Sequence, residues 1–158
     1  RELYRKGLTG EELGTIIGDM ELVDPFSVPG VLDTAAWAKT GTTGPTVGEA
    51  LVRAGHKLRR ADKNRIQGKI QIHEFLKVRE NGRPKLQIFN TCPNLIRELQ
   101  SIPLSKTNPE DVDTHASDHA YDALRYMIMS RPRMDSPLER LRGIKREIHL
   151  PSDSTFGY

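Results

Sequence analysis

Helix-start signals recur along this chain with only short apolar stretches between them, which confines it to small helices alternating with short strands. Thr9 stands three residues ahead of Glu12, the spacing at which a hydroxyl caps one free amide while the acid reaches back to another. A helix to about Met20 follows from that. Thr46 predicts a second helix to Ala54, closed by Gly55, and the cluster Asp62, Lys63, Asn64 predicts a third over 65–76 with Ile66, Ile70 and His73 on one face. Pro93 and Asn94 open a helix over 95–100, and Asp113 or Thr114 opens the last, over 115–130, which Arg131 and Pro132 end. Residues 2–5, 31–32 and 57–61 read as strands, and 75–79 with 84–89 as a β-hairpin turning through Asn81 and Gly82. Strands alternating with helices favour an α/β fold with a mostly parallel or mixed sheet.

A chain of 158 residues has room for one domain, able to bury roughly two-thirds of the surface that the unfolded chain exposes. The tail from 133 onward carries prolines, alternating charge and few apolar residues before Phe156-Gly157-Tyr158, so the expected domain is 1–132 with 133–158 loosely attached. No apolar run approaches the roughly 18 residues of a membrane span. Cys92 stands alone, without a partner for a disulfide or the spacing of a zinc ribbon, which suits a reducing compartment. The opening Arg1, with no methionine and no signal-peptide pattern, reads as the start of a piece of something longer.

The net charge of +3 is unevenly spread. Lys and Arg number 4 against 8 acids over 1–52, 11 against 3 over 53–85, 3 against 6 over 86–130 and 6 against 4 over 131–158. A basic block beside acidic segments is what a phosphate-binding protein with a separate carboxylate site needs, because Lys and Arg neutralise phosphates and release counterions. Arg59, Arg60, Lys63, Arg65 and Lys69 are the candidates for guiding a DNA backbone; the alternative is a solvated helix face.

On the last helix Asp118 and Asp122 lie at i and i+4 and share a face, with His115 and His119 within the same two turns. Like charges at that spacing call for a compensating cation, and hard ions such as Mg²⁺ or Mn²⁺ prefer carboxylate oxygens. Two solvent-facing acids over an inward stripe of Ala120, Ala123, Leu124, Met127 and Ile128 would give the same pattern. Asp33 follows the apolar pair Val31-Leu32, where a strand's carboxyl end can present an acid to a ligand; a turn or capping aspartate ahead of Thr34 is the alternative.

Three segments taken in order, Arg1-Glu2-Leu3-Tyr4-Arg5-Lys6-Gly7-Leu8-Thr9, Val31-Leu32-Asp33-Thr34-Ala35-Ala36-Trp37 and Asp118-His119-Ala120-Tyr121-Asp122-Ala123-Leu124-Arg125-Tyr126, with the terminal Phe156-Gly157-Tyr158, resemble the C-terminal nuclease domain of phage terminase large subunits. The resemblance spans almost the whole chain. It implies a ribonuclease-H-like mixed sheet flanked by helices, and an endonuclease that cuts concatemeric viral DNA during genome packaging. It also implies two Mg²⁺ or Mn²⁺ ions held by acids, an arrangement that activates water and stabilises the leaving oxygen. By this resemblance Asp33 matches the second metal-binding acid, Asp118 and Asp122 lie where the last acid is supplied, and His119 matches a position that is a metal-site histidine in some members. Double-stranded DNA, the terminase ATPase domain, the small terminase subunit and the portal are the implied partners, and the host cytoplasm the implied setting. The family's first acid would lie on a strand upstream of Arg1, so this stretch alone would cut slowly or not at all, and no Walker loop is present. Two rival readings are a non-catalytic DNA- or portal-binding assembly module of the same fold, and a related resolvase- or transposase-type nuclease.

Overall fold

The computed structural model describes residues 1–25, 28–39, 44–106, 108–113 and 117–131. The expected loose tail therefore lies outside the described residues, as do 114–116, where the last helix is expected to begin.

Helix α1, Gly10–Glu21, starts on the reciprocal cap read from the sequence: Thr9 Oγ1 accepts from the Glu12 amide at 3.2 Å and Glu12 Oε2 accepts from the Thr9 amide at 2.8 Å. Strand β1, Gly30–Leu32, follows, then a 3₁₀ turn over Thr34–Trp37 and helix α2, Val47–Arg53, with Thr46 and Glu49 forming a second reciprocal cap. Strand β2, Leu58–Arg60, pairs parallel with β1 in the register Gly30 with Leu58, Val31 with Arg59 and Leu32 with Arg60. Parallel strands need a crossover, and α2 supplies it. Helix α1 packs on α2 through glycines: a Cβ at Gly10 would stand 2.7 Å from Ala50 Cβ, and one at Gly14 would stand 2.9 Å from Ala54 Cβ. The fold is of the mixed α/β class, with five α-helices and a two-stranded parallel sheet among the described residues. No helix among them is long and apolar enough to cross a membrane.

The main core lies between α3, Arg65–Leu76, and α5, His119–Ser130, with α4, Pro93–Ser101, beside it. Ile72, Val112, Tyr121, Leu124 and Ile128 are buried there, flanked by Phe75, Leu76, Leu86, Leu95, Leu99 and Ile102. Burying that many apolar side chains at roughly 1.5–3 kcal/mol each is what holds α5 in place.

Four sequence expectations are corrected. The α3 face carrying Ile66 and Ile70 is exposed, and the buried face is Gly68 and Ile72, because α5 crosses α3 at the glycine. The expected hairpin strands do not form: α3 runs on to Leu76 and takes Phe75 and Leu76 into the core, and what remains is the turn, with Gly82 at φ 74 and a 3.3 Å contact from the Arg79 amide to the Arg83 carbonyl, and one bond beyond it, from the Leu86 amide to the Phe75 carbonyl at 2.9 Å. Residues 2–5 form no strand among the described residues. Helix α5 begins at His119 rather than at 115, with Asp118 in its N-cap position.

Candidate functional site

Helix α5 lies against β1, and this brings the strand-end acid to the helix acids. Asp33 does two things at once. Its Oδ1 accepts from the Ala35 amide at 2.8 Å, capping the 3₁₀ turn, and its Oδ2 accepts from the Tyr126 hydroxyl at 2.6 Å. The same hydroxyl oxygen lies 3.3 Å from Asp122 Oδ2. The oxygens of Asp33 and Asp122 are thus within about 6 Å of each other, the limit set by those two legs. A phenol has one proton, so at these distances it goes to Asp33, and Asp122 faces the oxygen's lone pairs.

Cations close the rest of the cluster. Lys63 Nζ lies 3.2 Å from Asp33 Oδ1, and the Arg125 Nε donates to Asp122 Oδ1 at 3.0 Å. Arg65 sits among three acids, its Nε 3.2 and 3.0 Å from the two oxygens of Asp111, its Nη2 3.5 Å from Asp118 and its Nη1 3.6 Å from Asp122. Burial by itself would raise the Asp33 pKa, but the Ala35 amide, the Tyr126 hydroxyl and Lys63 outweigh it and hold the carboxyl down at about 2. Asp118 goes the other way. Burial and then the charge of Asp122 push its carboxyl up, against the pull of Arg65. The Tyr126 hydroxyl is pushed well up by burial, by its bond to Asp33 and by the charge of Asp122.

Asp118 is free to face Arg65 because another residue caps its helix. Glu98, on α4 and 1 % exposed, accepts from the Ala120 amide at 2.7 Å and the Tyr121 amide at 3.0 Å, both on Oε2, while Oε1 takes the Tyr4 hydroxyl at 3.1 Å and Ser117 Oγ at 3.3 Å. Asp118 itself makes no capping bond. Glu2 does for α4 what Glu98 does for α5, with Oε1 accepting from the Asn94 amide at 3.2 Å and Oε2 from the Leu95 amide at 2.8 Å. Burial raises the Glu2 pKa, and those amides and the Asn94 side chain more than offset it, so the net direction is down.

The expected site residues therefore divide. Asp33, Asp118 and Asp122 converge. His119 stands apart, with a 75 % exposed ring whose Nδ1 is 3.9 Å from Asp118 Oδ1, and it lines an apolar cleft of about 630 Å³ with Leu3, Leu86, Leu95, Ala123 and Met127. Of the five residues expected to meet DNA phosphates, Lys63 and Arg65 are turned to the acids and Lys69 Nζ donates to the carbonyls of Pro109 and Glu110 at 3.3 and 3.0 Å. Arg60 lies over the Trp37 ring, 5.5 Å from its centroid, and both Arg59 and Arg60 are exposed. Sequence reading missed Glu98, Glu2, Asp111 and the 1 % exposed Arg125.

Among the described residues no three His, Cys, Asp or Glu side chains are already arranged around one ion. The donor chemistry is of the kind a hard divalent cation takes: Asp33 and Asp122 bring carboxylate oxygens to either side of the Tyr126 hydroxyl, and oxygen ligands are the ones such ions prefer. No protein-family profile matches the chain, and no curated protein or solved structure matches it.

Proposed function

We propose that this chain is the greater part of a metal-dependent endonuclease domain of the terminase large-subunit type, with a ribonuclease-H-like arrangement. The observation that carries the reading is the convergence of Asp33, at the end of β1, with Asp122 on α5 across the Tyr126 hydroxyl. Asp33 and Asp122 are far apart in sequence and meet at that hydroxyl, and they are among the acids that the resemblance singles out. Asp33 and Asp122, with Asp118 beside them, would hold the Mg²⁺ or Mn²⁺, which when bound supplies Lewis-acid stabilisation of charge on a phosphodiester. The chain's own residues do the rest. Tyr126 fixes the orientation of Asp33, Arg125 fixes that of Asp122, and Arg59, Arg60 and the half-exposed Lys63 offer positive charge to a backbone phosphate. Double-stranded DNA is then the substrate, and the ATPase domain, small subunit and portal of a packaging motor in the host cytoplasm are the proposed setting.

One observation favours a second reading. Lys63, Arg65 and Arg125 neutralise most of the cluster, which is also what a purely structural charge network in an assembly module would look like. Nicking of supercoiled plasmid separates the two. With Mn²⁺, in this chain and in one lengthened upstream of Arg1, the nuclease reading expects Asp33→Asn and Asp122→Asn each to lower the rate at least about 100-fold, since the ligands act mainly on the transition state. Cutting by both variants at the parent rate, or no cutting by either parent chain under any divalent ion, leaves the assembly module as the reading.

A further inference from the structure

Arg65 opens α3 at a position the charge pattern gives to phosphate, yet its guanidinium lies among Asp111, Asp118 and Asp122 and only 24 % of the side chain is exposed. The three contacts are unequal. The Nε holds Asp111 at hydrogen-bond distance, 3.0 Å, while Nη1 and Nη2 stand 3.6 and 3.5 Å from Asp122 and Asp118. Nη2 is buried and makes no hydrogen bond. The fork is tied at one end, and its other end sits between two carboxylates as charge alone. Four acids, Asp33, Asp111, Asp118 and Asp122, meet three cations, Lys63, Arg65 and Arg125, so the cluster retains one negative charge. Without Arg65 it would retain two, the charge that one divalent ion cancels.

We propose that Arg65 is a resident counter-cation that competes with the divalent metal for Asp118 and Asp122, a positioning residue that sets how tightly the site takes its ion. The proposal rests on the metal reading above. Asp111 is the anchor: by keeping the Nε it lets the Nη end leave Asp118 and Asp122 without releasing the side chain into the core. The ion that displaces it takes over the same two carboxylates. A unit charge about 5 Å from a divalent ion, screened to somewhere between water and a protein surface, changes ion affinity by at least about 10-fold.

Isothermal titration of the 158-residue chain with Mn²⁺ alone tests this, read as a dissociation constant and not as activity. Arg65→Gln should bind Mn²⁺ at least about 10-fold tighter than the parent, and Arg65→Lys, which keeps the charge, should stay within about 3-fold of it. Equal affinity in the parent and Arg65→Gln overturns the counter-cation while leaving the metal site standing, and so does weaker binding by Arg65→Gln, which would make Arg65 part of the scaffold. No Mn²⁺ binding by either chain overturns both. Should Arg65→Gln lose its helical circular dichroism, the parent still decides: on titration with Mg²⁺ the ¹⁵N signal of the Arg65 Nε–H should persist, because Asp111 keeps it, and shift saturably as the Nη end leaves. A signal that Mg²⁺ does not move overturns the proposal.

Discussion

Replacing Glu98 should damage this protein more than replacing any surface acid, and by an amount that can be worked out from its partners. Its carboxylate is 1 % exposed and takes the Ala120 and Tyr121 amides on one oxygen and two hydroxyls on the other. In Glu98→Gln the amide oxygen can keep the two backbone donors, while its NH₂ turns to Tyr4 and Ser117, whose hydroxyls can rotate to accept. What is lost is the charge in two charge-assisted bonds, about 1 kcal/mol each, part of which is the attraction of the helix dipole for an anion. Relief of the buried charge's desolvation works against that loss, so about 1–2 kcal/mol of destabilisation is expected. Glu98→Ala leaves both amides without an acceptor at about 1–3 kcal/mol apiece and opens a cavity, for about 3–5 kcal/mol in all. Urea titration at constant m gives both values from the midpoint. Hydrogen exchange should show the Ala120 and Tyr121 amides losing protection first, in the turn that carries Asp118 and Asp122. Glu98→Ala within about 1 kcal/mol of the parent, or less harmful than Glu98→Gln, would refute the capping account.

Gly68→Ala would place a Cβ against Arg125 Cγ and 2.6 Å from Cδ, the middle of a buried side chain, so the gain of up to about 1 kcal/mol in helix propensity should be outweighed by about 1–3 kcal/mol of overpacking. The net loss is readable by the same urea titration, and a stabilised variant would show that Arg125 moves aside freely. Asp118→Asn should raise the Tm at pH 7: the folded state holds that carboxyl above its ordinary value, so ionising it costs stability as pH rises through the carboxylate range, and the gain should vanish below about pH 3, where the carboxyl is mostly protonated in both states. Asp33→Asn has the opposite sign. Its folded pKa of about 2 lies below the unfolded 3.8, so its contribution is full above about pH 5 and is lost as pH falls through 3.8 to about 2, and the variant should melt lower at pH 7 with the gap closing in acid.

Local rules marked Asp33 at a strand's carboxyl end and Asp118 with Asp122 on one helix face, but left a capping or solvent-facing role open for each, and it was the resemblance that paired them. Thr9 with Glu12 was legible because the partners lie three residues apart, and Thr46 as a cap likewise, although its reciprocal partner Glu49 was not read. Glu98, Asp111 and Arg125 were not. Glu98 caps the amide of Ala120, 22 residues later, and Asp111 meets Arg65 across 46 residues, at separations where no periodicity carries information. The hairpin failed on a conflict between two local signals. Asn81-Gly82 does turn the chain and brings Leu86 back to Phe75, but Phe75 and Leu76 gain more as the last turn of α3, packed on the core, than as one arm of an isolated two-stranded hairpin. Ile66 and Ile70 misled in a similar way. Gly68 gives no hydrophobic signal, and the close crossing it permits decides which face of α3 is buried.

Lys63 and Arg65 read as phosphate ligands because charge density says nothing about direction. The structure supplies the direction, and the reason lies in the electrostatics of α5. Glu98, Asp118 and Asp122 gather three carboxylates at one helix N-terminus, whose dipole amounts to only about half a positive charge. Glu98 uses that half charge, bound directly to the free amides, so Asp118 and Asp122 must find their cations elsewhere. Arg125 comes from one turn along the same helix and Arg65 from the neighbouring one, where Gly68 lets the two helices close up. Glu2 fixes α4, α4 carries Glu98, and Glu98 frees Asp118. The placement of these acids thus depends on a relay of caps that runs from Glu2 through Glu98, and under the proposed metal reading Glu2→Ala should weaken Mn²⁺ binding even though Glu2 caps a different helix from the one that carries Asp118 and Asp122. Unchanged Mn²⁺ affinity in that variant would show that α5 holds its first turn without α4.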